Sequence, residues 1–151
     1  MTLTPKEHSL LTDLKTQEEL CIKKYGKYES EAHDPALKNL FSSIKNTEQG
    51  HFDTISKIMQ GEEVKMNSAP SATSEKTSFP KSNESPENKA SDAFLCKDAL
   101  TMEKHVSSMY DTSVFEFNSP TLRDTLNHIQ KEEQNHGMEL YKYMSDNAMY
   151  G

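Results

Sequence analysis

Apolar side chains recur along this chain at steps of three and four residues, the spacing that places them on one face of an α-helix. Four such stretches predict helices near residues 5–32, 35–60, 92–117 and 120–147. No stretch alternates apolar and polar residues in the way that a half-buried strand requires. The pattern therefore predicts an all-α fold.

Proline marks the start of three of these helices, because the first helical position needs no backbone N–H. In each case the proline follows a residue that caps helices well: Thr4-Pro5, Asp34-Pro35 and Ser119-Pro120. Ser91 or Asp92 is the expected cap of the remaining helix. The short breaks before Pro35 and Pro120 predict two antiparallel hairpins, which together form one four-helix bundle.

Residues 62–90 differ in composition from both hairpins. They contain six Ser, three Pro and alternating Glu and Lys, with few large apolar side chains, which is typical of a flexible linker. We expect residues 1–151 to form a single domain, with hairpins at 5–61 and 91–147. A linker of this length can cross the whole bundle, because a helix of 26 residues is only about 39 Å long.

An internal repeat relates the two hairpins. Residues 10–59 align without a gap on residues 95–144 at an offset of 85, which predicts a pseudo-twofold arrangement. The identical pairs include Leu10/Leu95, Asp13/Asp98, Glu18/Glu103, Tyr25/Tyr110, Pro35/Pro120, Glu48/Glu133, His51/His136 and Met59/Met144.

Composition excludes several classes of function. Seventeen Lys and Arg against 24 Asp and Glu give a net charge of -7 with no basic cluster, so we expect no nucleic-acid binding. No apolar run is long enough for a membrane span or a secretory signal, so we expect a soluble, cytoplasmic protein with no membrane partner. Cys21 and Cys96 form no Cys-x-x-Cys pair, which excludes zinc ribbons and rubredoxin-type sites, and we expect both in the core.

Each apolar stripe is interrupted near its middle by residues that should not be buried. They are Glu18, Glu48, His51, Glu103, Glu133 and His136. Four carboxylates at one level of a bundle would each cost several kcal/mol of desolvation, so we expect cations among them. Two divalent ions would supply four positive charges. One Glu from each of two helices and a Glu-x-x-His from each of the other two is the ligand set of carboxylate-bridged di-iron and di-manganese bundles.

Two alternatives to this metal site remain at the level of sequence. In the first, the six residues are ordinary solvated helix positions. In the second, they are relics of a site that no longer binds metal. Glu19 and Glu132 adjoin two of the chosen carboxylates, but the repeat and the apolar stripe both favour Glu18 and Glu133.

The ligand pattern resembles the ferritin-like superfamily, nearest to rubrerythrin-type di-iron domains. Two short segments are similar to the spore coat F-like branch: Leu11-x-x-Leu14-x-x-Gln17-Glu18 and Asp34-Pro35-x-Leu37. The resemblance implies that Glu18 and Glu103 are terminal ligands and that Glu48 and Glu133 bridge the metals. It also implies that His51 and His136 bind one metal each, and that Tyr25 and Tyr110 donate hydrogen bonds to ligand carboxylates as part of the catalytic site.

The resemblance leads to two hypotheses for function. The first is an oxidoreductase with two iron ions, or manganese, that reduces hydrogen peroxide or dioxygen. Val106 stands where rubrerythrins carry a further Glu, and the rubredoxin module is absent, so electrons would come from an external donor protein. The alternative is a structural protein of the spore coat, with a bound or vestigial metal site, that forms a homodimer or a coat assembly.

Overall fold

The computed structural model describes residues 2–64 and 78–150, which form two antiparallel helical hairpins that pack together. The first hairpin consists of α1 (Pro5–Glu31) and α2 (Pro35–Met59), and the second of α3 (Pro86–Val114) and α4 (Pro120–Asp146). The described residues contain no strand. The prediction of an all-α fold built from two hairpins is confirmed.

All four helices begin in the same way. The side chain of the N-cap residue accepts a hydrogen bond from a backbone N–H of the first turn, and proline follows it. The four pairs are Thr4 with Glu7 N (3.1 Å), Asp34 with Ala36 N (3.2 Å), Ser85 with Asn88 N (3.1 Å) and Ser119 with Leu122 N (3.3 Å).

Helix α3 begins at Pro86 and not near residue 92, so the predicted caps Ser91 and Asp92 are wrong. Ser85 is the cap, and Ser85-Pro86 is the same signal that marks the other three helices. It lies at the end of a stretch whose composition is typical of a linker, which is why the apolar pattern placed the start too late. Helix α3 also ends at Val114, three residues before the predicted 117.

Asp92 is fully buried and caps a different part of the chain. Its carboxylate accepts hydrogen bonds from the backbone N–H groups of His33 (2.8 Å) and Asp34 (3.0 Å), at the turn between α1 and α2. The phenol of Tyr143 on α4 donates to the other side of this turn, at Asp34 Oδ2 (2.5 Å). The second hairpin therefore holds the turn of the first.

The connection between the hairpins is held at both ends of α4. The carbonyl of Val64 accepts from Thr125 near the start of α4 (3.0 Å), whereas the buried Phe79 contacts Tyr143 and donates its N–H to Asp146 (2.9 Å) near the end. About 21 residues of helix separate these points, so the two described ends of the connection lie about 32 Å apart along α4. Residues 65–77 of the expected flexible linker lie outside the described residues.

Reciprocal contacts show the pseudo-twofold symmetry that the repeat predicts. Tyr25 on α1 donates to Glu103 on α3, and Tyr110 on α3 donates to Glu18 on α1. Residue numbers rise along one helix as they fall along the other, so α1 and α3 are antiparallel.

The core between the hairpins contains both cysteines, each buried and free, as expected. Across residues 2–64 and 78–150, no helix has the combination of length and apolar character that crossing a bilayer requires.

Replacing Asp92 should test its role as a cap of the α1–α2 turn. We expect Asp92→Ala to lower the free energy of unfolding by about 2–4 kcal/mol, because two backbone donors lose their acceptor. Ser91→Ala changes an exposed neighbour on the same helix and should have almost no effect. Urea unfolding monitored by circular dichroism measures both. Equal losses in the two variants would contradict this role.

Candidate metal centre

The six residues predicted as metal ligands lie together in the middle of the bundle. Helix α1 contributes Glu18, α3 contributes Glu103, and α2 and α4 each contribute one Glu-x-x-His pair. All six residues are buried, and none is more than 4% exposed. The alternative that these are ordinary solvated positions is therefore wrong.

These side chains form two overlapping groups of potential ligands. The first contains Glu18, Glu48, His51 and Glu133, and the second contains Glu48, Glu103, Glu133 and His136. Within each group, one ligand atom from every residue lies within 4.8 Å of the others. Two carboxylates, those of Glu48 and Glu133, belong to both groups.

The two shared carboxylates each direct one oxygen towards each histidine. Oε2 of Glu48 lies 3.6 Å from Nδ1 of His51, and Oε1 lies 3.0 Å from Nδ1 of His136. For Glu133, Oε1 lies 2.9 Å from Nδ1 of His51 and Oε2 lies 3.6 Å from Nδ1 of His136. This is the arrangement that a carboxylate needs in order to bridge two metal ions.

The other two carboxylates each belong to one group. Oε1 of Glu18 lies 3.8 Å from Nδ1 of His51, and Oε1 of Glu103 lies 3.4 Å from Nδ1 of His136. Each also accepts a hydrogen bond of 2.5 Å from a tyrosine of the opposite hairpin, Tyr110 for Glu18 and Tyr25 for Glu103. The tyrosines orient one oxygen of each carboxylate and leave the second free to bind an ion.

The donor atoms of this site fit a pair of divalent cations. Six buried polar atoms of the cluster make no aligned hydrogen bond to a described residue, although some lie close to one another: Glu18 Oε2, Glu48 Oε1, Glu48 Oε2, Glu103 Oε2, Glu133 Oε2 and His136 Nδ1. Ligand atoms at about 2.0–2.2 Å from an ion lie at most about 4.4 Å apart, close to the observed spread. Mixed imidazole and carboxylate ligands suit iron, manganese and other first-row metals.

The pKa values of the cluster show that its buried carboxylates are stabilised by positive charge or by protons. Burial and the neighbouring Glu48 raise the pKa of Glu18 to about 8, and burial and the charge of Glu103 raise the pKa of Glu133. Burial opposes a charged imidazole, but the close carboxylates around each ring outweigh it and raise the pKa of His51 and of His136. When no cation is bound, protons must supply the missing charge.

Cys21 lies on the same stripe of α1, between Glu18 and Tyr25. Burial, together with the charges of Glu48 and the other carboxylates, raises the pKa of its thiol far above the usual range. A thiol that stays protonated is a poor nucleophile, so this side chain fills space, as its repeat mate Val106 does.

Glu132 contacts the centre although the sequence favoured its neighbour Glu133. Its Oε1 lies 3.1 Å from Nε2 of His51 and 3.1 Å from Nε2 of His128. Carboxylates that accept from the second nitrogen of a ligating histidine orient the ring and make it a stronger ligand. The repeat does not indicate that Glu132 belongs to the centre, because the equivalent position in the first hairpin holds Thr47.

The two halves of the centre therefore differ in their outer contacts. Nδ1 of both histidines faces the carboxylates, and a carboxylate holds Nε2 of His51. Among the described residues no carboxylate contacts Nε2 of His136. We infer that His51 is the better oriented of the two potential histidine ligands, because Glu132 holds its ring.

Comparisons with known proteins concern the second hairpin. A family model of the Coat F domain matches residues 91–151, which cover most of α3 and all of α4. The chain matches no curated protein and no solved structure. The matched segment includes Glu103, Glu133 and His136. The resemblance to spore coat F-like proteins is thus supported for this hairpin, whereas the resemblance to rubrerythrin-type proteins stays a prediction.

The pKa values of the cluster predict how stability depends on pH without metal. Glu18 and both histidines have higher pKa values in the folded chain, so it binds more protons than the unfolded chain near neutrality. We expect the melting temperature of chelator-treated protein to fall as the pH rises from about 6.5 through about 8. The lowered pKa of Glu48 acts only at acid pH. Metal-loaded protein should lack this slope, and a melting temperature that rises with pH in chelator would contradict the assignment.

Glu132 should affect one of two metal positions. We expect Glu132→Gln to weaken binding at one site by about 10- to 100-fold and to leave the other unchanged, because His51 loses its anionic acceptor. Glu19→Gln is the matched control, since Glu19 is exposed and adjoins a predicted ligand on the other hairpin. Calorimetric titration with Mn²⁺ resolves the two steps. Equal weakening of both steps, or of neither, would overturn this role.

Proposed function

We propose that this chain is a structural protein of the spore coat type, whose four-helix core is joined by two divalent cations. The bridging arrangement of Glu48 and Glu133 supports the metal pair, and the Coat F match over residues 91–151 supports the coat role.

Each proposed ion would connect three helices and both hairpins. An ion beside His51 would take ligands from α1, α2 and α4, and an ion beside His136 would take ligands from α2, α3 and α4. The covalent connection between the hairpins is otherwise a single segment, residues 60–85. Binding to the folded state alone stabilises that state. The metals would therefore act as cross-links that stabilise the folded coat protein.

The ligand roles in this proposal follow the oxygen positions. Glu48 and Glu133 would hold both ions, Glu18 and Glu103 would each hold one, and each histidine would bind through Nδ1. Tyr25 and Tyr110 orient the non-bridging carboxylates, and Glu132 orients His51. All of these are actions of the protein's own side chains that a structural site requires as much as a catalytic one.

A di-iron oxidoreductase that reduces peroxide or dioxygen is the second candidate. The two metal positions share two carboxylates, and two buried tyrosines donate to the remaining ones, which supports a site able to hold two redox metals side by side. Iron would supply the electron-transfer chemistry, and an external donor protein would reduce it in the cytoplasm. Val106, in place of a further carboxylate, disfavours this candidate.

The double variant Glu48→Gln/Glu133→Gln separates the roles of metal and assembly. The glutamines keep the side-chain volume but remove two buried negative charges, so the variant should fold without metal. We expect two metal ions per wild-type chain, none in the variant, and a melting temperature that metal raises by roughly 10–20 °C in the wild type only.

Localisation tests the coat role directly. In a sporulating bacterium, a fluorescent fusion of the wild-type chain should form a shell around the spore, and the double variant should form a shell that heat or chelator disperses more easily. A diffuse cytoplasmic signal, together with peroxide consumption by iron-loaded protein that the double variant loses, would reject the coat proposal in favour of the oxidoreductase.

A further inference from the structure

The internal repeat pairs Tyr28 of α1 with Ser113 of α3, and the two positions are filled very differently. The hydroxyl of Tyr28 donates to Asp98, and its ring lies 5.3 Å from that of Phe41. The ammonium of Lys24 lies 3.2 Å from Asp98 and 5.9 Å from the Tyr28 ring centroid. A phenol and a lysine thus fill the groove between α1 and α3 in one half of the repeat.

The symmetry-related groove holds a cavity of about 220 Å³ between α1 and α3. Its lining includes Asp13, Met109 and Ser113. At the offset of 85 these residues correspond to Asp98, Lys24 and Tyr28. The cavity therefore occupies the place where the first half of the repeat carries its tyrosine.

The groups around this cavity suit an aromatic ring with one hydroxyl. Leu10, Leu14 and Met109 supply an apolar wall, and thioethers contact aromatic rings favourably. Ser113 is buried, and its hydroxyl donates to the carbonyl of Met109. Because its side chain is small, it does not fill the space that Tyr28 fills in the other half of the repeat. The carboxylate of Asp13 at the mouth has no hydrogen-bond or ion-pair partner among residues 2–64 and 78–150.

We propose that this cavity binds a phenol ring whose hydroxyl donates to Asp13, as that of Tyr28 donates to Asp98. An engineered apolar cavity of about 150 Å³ is known to hold benzene, so the space is sufficient for such a ring. The site lies outside the carboxylate cluster, and this inference does not depend on the metal or on the coat role.

The probe for this site is 4-methylphenol, which reproduces the tyrosine side chain. In the wild-type chain we expect saturable shifts in two-dimensional NMR spectra, confined to the α1 and α3 residues around the cavity. Toluene lacks the hydroxyl and should bind at least about tenfold more weakly. Asp13→Ala, at an exposed position, should remove that difference between the two probes.

Two substitutions exchange the halves of the repeat. Ser113→Tyr should fill the cavity, abolish binding of 4-methylphenol and raise the melting temperature. Tyr28→Ser should open a second cavity beside Asp98, so that the variant binds two molecules of the probe. Absence of saturable shifts in the wild type, or binding that Ser113→Tyr leaves unchanged, would overturn the proposal.

Light scattering distinguishes the two sources of a phenol. If the natural occupant is an exposed tyrosine of a second copy, such as Tyr141 or Tyr150, the wild type should self-associate, and both 4-methylphenol and Ser113→Tyr should dissociate it. If the wild type is monomeric and still binds the probe, the result supports a free phenolic compound as the occupant. Both results support the site, and self-association with no binding of the probe counts against it.

Discussion

Charge compensation in the middle of the bundle is the constraint on which the rest of the structure depends. Four carboxylates lie within a core that excludes water, where their mutual repulsion is weakly screened. Two imidazoles and two tyrosine hydroxyls surround them, yet six buried polar atoms still make no aligned hydrogen bond within the described residues. Protons or cations must complete the cluster. A pair of divalent ions would do so while joining all four helices.

Duplication explains how one chain builds such a centre. Each half of the repeat supplies one single carboxylate, one Glu-x-x-His pair and one tyrosine, and the pseudo-twofold axis brings the two sets together. The tyrosine of each half reaches the carboxylate of the other, so neither hairpin completes the centre alone. The Coat F match covers the second hairpin, and the first supplies the other half of the ligands.

Departures from the symmetry give the two halves different properties. Glu132 contacts Nε2 of His51, whereas the equivalent position holds Thr47, and no carboxylate of the described residues contacts Nε2 of His136. Tyr28 fills one groove between α1 and α3, whereas Ser113 leaves the other open. Asp92 crosses from α3 to cap the turn of the first hairpin. The repeat is also the reference against which the differences at Glu132 and Tyr28 become visible.

The sequence by itself determined the four helices, their pairing and the six residues of the centre. These features depend on periodicity, caps and the conflict between charge and burial, all of which are local or repeat along the chain. Only the tertiary structure decided that Asp92 caps another hairpin, that Glu132 contacts His51, and that Glu48 and Glu133 each face both histidines. These depend on the relative position of helices far apart in sequence, which arises from packing and which no local pattern encodes.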